Sequence, residues 1–99
     1  MTGRFVLTPR ARADLDEIWD YTADRWSLDQ AEIDIRQLWK AIAAVADSPT
    51  LGKECAEVRR GYRKYPAGSH VLFYRLIPGG GIDVVRILHE RMDYERHIP

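Results

Sequence analysis

The stretch "HVLFYRLI", residues 70–77, decides the fold of this 99-residue chain. It is rich in β-branched and aromatic residues, which favour a β-strand. Successive side chains of a strand point to opposite faces of the sheet, and both sets are apolar in this run. One face carries Val71, Phe73 and Ile77, and the other carries Leu72, Tyr74 and Leu76. A strand with two apolar faces requires cover on both sides.

Two further β-rich runs flank this strand. "EVRRGYRKY" covers residues 57–65, and "IDVVRILH" covers residues 82–89. The segments that separate the three runs, "PAG" at 66–68 and "PGGG" at 78–81, are typical of tight turns. The C-terminal half is therefore predicted to be an antiparallel meander of three strands.

The N-terminal half begins with a short predicted strand, "RFVLT" at residues 4–8. Thr8 is suited to the N-cap of a helix and Pro9 to its first position, where the missing N–H costs nothing. A stripe of side chains then recurs at steps of three and four residues, which predicts an amphipathic helix. The stripe consists of Leu15, Ile18, Trp19, Thr22 and Trp26. We expect both tryptophans to lie on the buried side of this helix.

A second helix is predicted to follow almost without a loop. "SLDQ" at residues 27–30 matches a capping box. In this motif the Ser27 side chain accepts the backbone N–H of Gln30, and the Gln30 side chain accepts the backbone N–H of Ser27. The apolar stripe of this helix consists of Ala31, Ile35, Leu38, Ile42 and Val45. Trp39 falls beside the stripe, where burial is favoured and partial exposure is the alternative. Two helices joined this closely form an antiparallel hairpin.

The predicted fold class is α+β, with elements in the order β-α-α-β-β-β and a short C-terminal tail or helix. It is a small, mostly antiparallel sheet with an N-terminal strand and an α-helical hairpin packed on one face, and residues 1–99 form a single domain. The hairpin can cover only one face of the central strand. The second face must be covered by the tail from Arg91 onward or by another chain.

Composition narrows the class of function. Fifteen basic and fifteen acidic side chains give zero net charge, divided as six against nine through Thr50 and nine against six from Leu51 onward. A general nucleic-acid binder carries a large positive excess, so that class is not favoured. Cys55 is the only cysteine, no apolar run approaches the length of a membrane span, and the N-terminus lacks the pattern of a signal peptide. We expect a cytoplasmic protein.

Charged and aromatic side chains cluster in the last segment, "VRILHERMDYERHIP", residues 85–99. His89, Asp93 and His97 are spaced four residues apart, so they would share one face of a helix. The outer two would then lie about 12 Å apart along the axis, which is too far for one metal ion. A solvated helix face is therefore favoured over a metal site.

The same segment holds the residue types of an RNA-cleaving site. Such a site needs a general base, a general acid and cations for the phosphorane charge, and Arg86, His89, Arg91 and Tyr94 are of these types. A structural interpretation fits equally well, because Arg86 would pair across the sheet and His89 would end a strand. Composition does not decide between the two. The "GGG" at 79–81 lies between strands, so it does not indicate a phosphate-binding loop.

Three stretches together resemble the ParE toxins of bacterial toxin–antitoxin modules, within the RelE/ParE superfamily. They are "LTPRARADLDEIWDYTADRW", "LGKECAEVRRGYRKYPAGSHVLFYRL" and "IDVVRILHERMD", and they cover most of the chain. The resemblance implies a toxin that inhibits DNA gyrase by stabilising its cleaved complex with DNA. It also implies neutralisation by the C-terminal segment of a ParD-type antitoxin, contact with operator DNA only through that antitoxin, and no cofactor or metal.

The RelE branch of the superfamily, which cleaves messenger RNA on the ribosome, is the alternative. It uses a set of Lys and Arg residues and often a C-terminal Tyr, and only His89, Arg91 and Tyr94 of this chain fit such a catalytic set. The chain has three lysines, and Lys53 lies among acidic residues. The resemblance therefore favours a protein that is not an enzyme. A third interpretation is a chain that binds an antitoxin without being toxic.

Two sets of contact residues are predicted on this basis. The target-binding set is Arg59, Arg63, Arg86, His89, Arg91 and Met92, expected to form a cationic edge beside a protruding Met. The antitoxin-binding set is Trp19, Trp26, Leu72, Tyr74 and Leu76, expected to be apolar anchors, with the three strand residues on the face that the hairpin leaves uncovered. Similar toxins commonly have an aromatic residue at the place held by Asp34, so this detail of the interface differs.

Overall fold

A computed structural model describes residues 3–98, apart from the side chain of Glu95. A five-stranded sheet has the order β1-β5-β4-β3-β2, with β1 parallel to β5 and the other neighbours antiparallel. The predicted α+β fold and order of elements are confirmed; the sequence does not predict the two-residue strand β2. The elements are β1 (Phe5–Leu7), α1 (Pro9–Arg25), α2 (Leu28–Asp47), β2 (Lys53–Glu54), β3 (Tyr62–Ala67), β4 (His70–Leu76), β5 (Ile82–His89) and α3 (Tyr94–His97).

Both long helices begin as their caps predict. The Thr8 hydroxyl accepts a hydrogen bond from the Ala11 N–H at 3.0 Å and donates one to the Val85 carbonyl at 2.7 Å, which ties the start of α1 to β5. The Ser27 hydroxyl accepts the Gln30 N–H at 3.0 Å. The reciprocal half of the predicted capping box is wrong, because the Gln30 side chain donates forward to Asp34 at 2.8 Å.

The main core lies between the helical hairpin and one face of the sheet. Leu72 and Tyr74 of β4 are fully buried in it, together with Leu38 and Ile42 of α2. The Tyr74 hydroxyl accepts the Gly52 N–H at 2.9 Å and donates to the Pro49 carbonyl at 2.7 Å. Burial raises the pKa of Tyr74. A Cβ at Gly52 would lie 2.4 Å from that hydroxyl, so this contact requires glycine.

The expectation that Leu72 and Tyr74 are exposed is therefore wrong. The alternation of side chains along β4 defines two apolar faces, but it does not specify which face the helices cover. In the structure, the hairpin packs on the face that contains Leu72 and Tyr74. Leu76, on the same face but at the end of β4, is 45% exposed.

The second face is covered by the C-terminal tail, which is one of the two predicted alternatives. Val71, Phe73 and Leu88 form a smaller buried cluster there with Cys55 and Ile98. The ring of Tyr94 packs against that of Phe73 with centroids 4.8 Å apart. A guanidinium N–H of Arg59 donates to the Ile98 carbonyl at 3.3 Å. The sheet is thus covered on both sides by its own chain in this region.

The three tryptophans differ in burial. Trp19 is half-buried on α1, whereas Trp26 is 75% exposed, so the expectation that Trp26 is buried is wrong. Trp26 is the C-cap of α1 and has non-helical backbone angles, which move its side chain out of the buried stripe. Trp39 is 41% exposed, so the favoured expectation of burial is wrong for this residue as well, and its ring lies 6.0 Å from that of Phe5. Within residues 3–98, no helix combines the length and the apolar character that a bilayer crossing requires.

Candidate functional site

A groove of about 660 Å³ lies between α1 and the C-terminal end of β5. One wall is the side of α1 from Asp14 to Trp26. The other wall is formed by the start of β4, the end of β5 and the turn that follows it, where Met92 lies. Asp34 of α2 contributes to the same groove. Two helices of the N-terminal half and two strands of the C-terminal half therefore meet at one site.

The groove exists because β1 is short. β1 pairs with β5 only from Ile82 to Val84, and the chain then turns at Thr8 into α1. Beyond Val84, the edge of β5 is therefore not paired with β1. The Ile87 N–H on this edge donates to a carboxylate oxygen of Asp14 at 2.9 Å, so a helix side chain replaces a strand partner.

Asp14 also holds Arg86. The Nε and one terminal nitrogen of Arg86 each donate to a different oxygen of Asp14 at 2.8 Å, and both side chains are only 7% exposed. The hydrogen bonds to Asp14 raise the pKa of Arg86. Its other terminal nitrogen donates to the His97 carbonyl at 2.8 Å. Arg86 thus links α1, β5 and the tail in a buried network without unsatisfied polar atoms.

The expectation that Arg86 is part of an exposed cationic edge is therefore wrong. β1 ends before it, which lets its side chain reach around the edge of β5 to Asp14. A charge that is buried and paired in this way positions other groups, and it is not available to a partner.

Two histidines face each other at the far end of the groove. His70 of β4 is the register partner of His89 of β5, and their rings lie 5.5 Å apart in a T-shaped contact. Burial, and secondarily the neighbouring His89, lowers the pKa of His70, while Asp34 and Glu90 act in the opposite direction. The Arg91 N–H donates to Nδ1 of His89 at 3.2 Å.

The structure brings together only part of each predicted set. His89 and Met92 from the target-binding set and Trp26 from the antitoxin-binding set line the same groove. Arg91 is exposed in the turn directly after β5. Trp19 does not line the groove.

Arg59 and Arg63 lie elsewhere. Arg63 is on β3, two strands away from β5, where it donates to the Gly52 carbonyl at 2.7 Å and pairs with Glu54 at 3.5 Å. Arg59 holds the tail through Ile98. The predicted single cationic edge is therefore wrong, because Arg63 lies on a distant strand and the guanidinium groups of Arg59 and Arg86 both hold the chain's own tail.

The three residues of the nuclease alternative are split between the two faces of the sheet. His89 pairs with His70 and lines the groove on the helix side. Tyr94 packs on Phe73 on the opposite face, and its hydroxyl donates to the Glu90 carbonyl at 3.0 Å. The metal spacing is likewise not realised, because His89 is in a strand and α3 begins only at Tyr94. Among residues 3–98, no cluster of three or more ligating side chains suits a metal ion.

Sequence reasoning missed three titratable residues of the groove: Asp14, Glu17 and His70. A signal for Asp14 was present, because Ala11, Asp14 and Ile18 follow helical spacing on the apolar side of α1. A carboxylate at such a position requires a buried cation or several N–H donors. Glu17 and His70 carry no comparable signal.

Comparisons with known proteins agree on one family. A model described as the ParE toxin of the type II toxin–antitoxin system, parDE, matches residues 5–94. Toxin ParE1 of Mycobacterium tuberculosis is 54% identical over 98 residues, which cover 99% of this chain and 100% of that protein. Toxin ParE1 of Caulobacter vibrioides is 40% identical over 95% of this chain and 96% of that protein.

A solved structure, titled the chromosomal ParDE TA system from P. aeruginosa, has the same fold, with a TM-score of 0.76 and 19% identity over 88% of this chain and 95% of that one. The α+β fold and these matches define the class as toxins of type II toxin–antitoxin systems. Within that class, this chain belongs to the ParE toxin family.

Proposed function

We propose that this chain inhibits DNA gyrase by stabilising its cleaved complex with DNA, and that a ParD-type antitoxin neutralises it by occupying the groove between α1 and β5. The observation that carries the proposal is that Trp26, His89 and Met92, predicted to contact two different partners, line one groove. One site cannot hold both partners at once. Neutralisation then follows from direct competition between the antitoxin and gyrase in the cytoplasm.

The groove has the character of a protein-binding site. Trp26 is 75% exposed and Met92 37% exposed, and the half-buried Ile18 lines the same groove. Large aromatic side chains that are exposed in the free protein and bury on binding supply most of the energy of a typical interface, and Met adapts to irregular partner surfaces. Trp26 is therefore assigned as the main anchor for the antitoxin.

The gyrase contact is assigned to the rim of the same groove. Arg91 is exposed beside His89, and its backbone N–H is bound to that imidazole. A flexible cation at this place suits the phosphates of gyrase-bound DNA or an acidic surface of the enzyme. Arg86 positions this rim through its buried bonds to Asp14 and His97, and it does not contact gyrase itself. Operator DNA is contacted only through the antitoxin.

A binding role is favoured over RNA cleavage. Because Tyr94 lies on the other face of the sheet from His89, the groove contains the two imidazoles of His70 and His89 as candidate acid and base. Among residues 3–98, the only guanidinium that lines the groove is that of Arg86, and it is bound to Asp14. Cleavage of RNA requires cations that stabilise the phosphorane charge, and the remaining charged groups lining the groove are Glu17 and Asp34. These carboxylates would repel a phosphodiester inside the groove, whereas Arg91 is not among the residues that line it.

The experiment is a cleavage assay with purified gyrase and supercoiled plasmid. With the toxin present, we expect linear DNA to accumulate after detergent and protease treatment, and added antitoxin should prevent it. The same preparation is added to a translating extract. Transcript cleavage in the extract without gyrase-dependent DNA breaks would reverse the assignment in favour of the RelE-type activity.

A further inference from the structure

The charges that line the groove do not balance. Asp14 and Arg86 neutralise each other in their two-bond pair. Glu17 of α1 and Asp34 of α2 remain, and neither has a salt-bridge partner within 4.0 Å in the part of the chain that the structure describes. With neutral histidines, the groove therefore carries two uncompensated negative charges.

Both carboxylates line the groove, Glu17 from an exposed and Asp34 from a half-buried position. Glu17 acts electrostatically on Arg86, whose pKa it helps to raise. Asp34 acts on His70 in the same sense, although burial dominates the pKa of that imidazole. The two carboxylates approach the groove from different helices, so a cation placed between them would interact with both.

The aromatic side chains at the rim suit the same kind of ligand. Tyr21 and Trp26 line the groove and are mostly exposed. The guanidinium carbon of Arg25 lies 5.4 Å from the centre of the Tyr21 ring, so one cation–π contact is already present at this rim. Trp26, whose ring system attracts cations more strongly than that of Tyr, has no such contact among the described residues.

We propose that the groove receives an arginine side chain of the partner, held between Glu17 and Asp34 in a groove whose rim carries Trp26. The proposal rests on the proposed function in one respect, which is that the partner is the antitoxin. A purely apolar segment would bury both carboxylates unpaired, at a large desolvation cost. An anionic segment would add repulsion. Arginine is preferred to lysine because its planar guanidinium binds carboxylates in two-bond pairs and stacks on aromatic rings.

The first test uses a small probe and does not require the antitoxin. The isotope-labelled toxin is titrated with N-acetylargininamide and, separately, with the uncharged analogue N-acetylcitrullinamide, while backbone amide signals are followed by NMR. We expect saturable shifts at Ser69, His70 and His89 with the arginine compound and smaller shifts with the citrulline compound. The shifts should disappear in the Glu17→Gln/Asp34→Asn variant.

A matched control separates a site from a general charge effect. Asp16→Asn/Glu57→Gln removes two exposed carboxylates that do not line the groove, so the net charge changes equally. This variant should respond like the unmodified toxin. Equal shifts with both compounds, no saturable shift at the groove, or the same loss in both variants would overturn the proposal. The spectra also report directly whether each variant is folded.

The second test measures the affinity of the same variants for a ParD-type antitoxin. Glu17→Gln/Asp34→Asn should weaken binding by about tenfold or more relative to Asp16→Asn/Glu57→Gln, and it should flatten the salt dependence. Equal affinities would overturn the assignment of the arginine to the antitoxin. If the unmodified toxin does not bind this protein, the proposed function fails, and the arginine titration still decides what the groove prefers.

Discussion

Arg86 and Asp14 form a buried, two-bond ion pair that joins the last strand to the first helix across 72 residues of sequence. The same carboxylate accepts the Ile87 N–H, and the same guanidinium donates to the tail at His97. The pair therefore closes the open edge of β5, holds the tail and forms one side of the groove. A single side-chain contact positions the candidate site.

The first prediction concerns this pair. Asp14→Ala leaves Arg86 charged and buried without its partner and should lower the free energy of unfolding by about 3 kcal/mol or more. Asp14→Leu/Arg86→Met should cost less, because no buried charge remains. Glu32→Ala breaks an exposed ion pair on α2 and should cost less than about 1 kcal/mol. Urea unfolding measures the free energy of unfolding of all three variants. A similar small decrease in each variant would contradict a structural role for the pair.

The second prediction concerns toxicity. His89→Ala/Arg91→Ala should abolish growth inhibition and gyrase-dependent DNA breaks, because it removes the imidazole and the exposed cation at the rim. The antitoxin should still co-purify with this variant, since Trp26 is retained. Arg12→Ala, at an exposed position of α1 that does not line the groove, is the control and should remain toxic. Full toxicity of the double variant would place the gyrase contact elsewhere.

The third prediction separates the tryptophans. Trp26→Ala should weaken antitoxin binding by about 30-fold or more, as expected for an aromatic anchor worth about 2 kcal/mol. It should change the free energy of unfolding by less than about 0.5 kcal/mol, because the side chain is largely exposed. Trp39→Ala, which removes the contact with Phe5, should lower stability and leave the affinity unchanged. Calorimetric titration and thermal unfolding distinguish the two variants, and reversed effects would refute the assignment.

The fourth prediction follows from the lowered pKa of His70. Since the folded protein binds this proton less readily than the unfolded chain, the neutral imidazole contributes stability that is present above pH about 6.5 and lost as the pH falls through the folded-state pKa. His70→Gln does not titrate. When the pH is lowered from 7.5 to 5, the Tm of the unmodified protein should therefore fall more than the Tm of His70→Gln. A constant difference would show that His70 is not coupled to folding.

Several features of the fold were predictable because they depend on local chemistry. Thr8 and Ser27 start helices because their hydroxyls satisfy N–H groups that have no partner within the helix. The position of Trp26 was not predictable to the same degree, because its exposure depends on where α1 ends, and a one-residue difference in the helix terminus moves the side chain out of the stripe.

The candidate site was predicted only in part, for a related reason. His89, Met92 and Trp26 stood out by residue type, and they do line the groove. Arg86 has the same residue type as Arg91, yet one is buried against Asp14 and the other is exposed. That difference arises from the end of β1 at Leu7, far away in the chain, which leaves the edge of β5 open to a helix side chain.

By itself, the sequence determined that the central strand needs cover on both faces, because its period-two pattern places apolar side chains on each side. Only the tertiary structure decided which layer covers which face. Leu72 and Tyr74 lie under the helices, and Phe73 lies under the tail. The physical reason is that alternation separates the side chains into two faces but does not specify which layer packs on which face. Long-range contacts such as that of Arg86 with Asp14 specify it, and they depend on the arrangement of strands and helices in space.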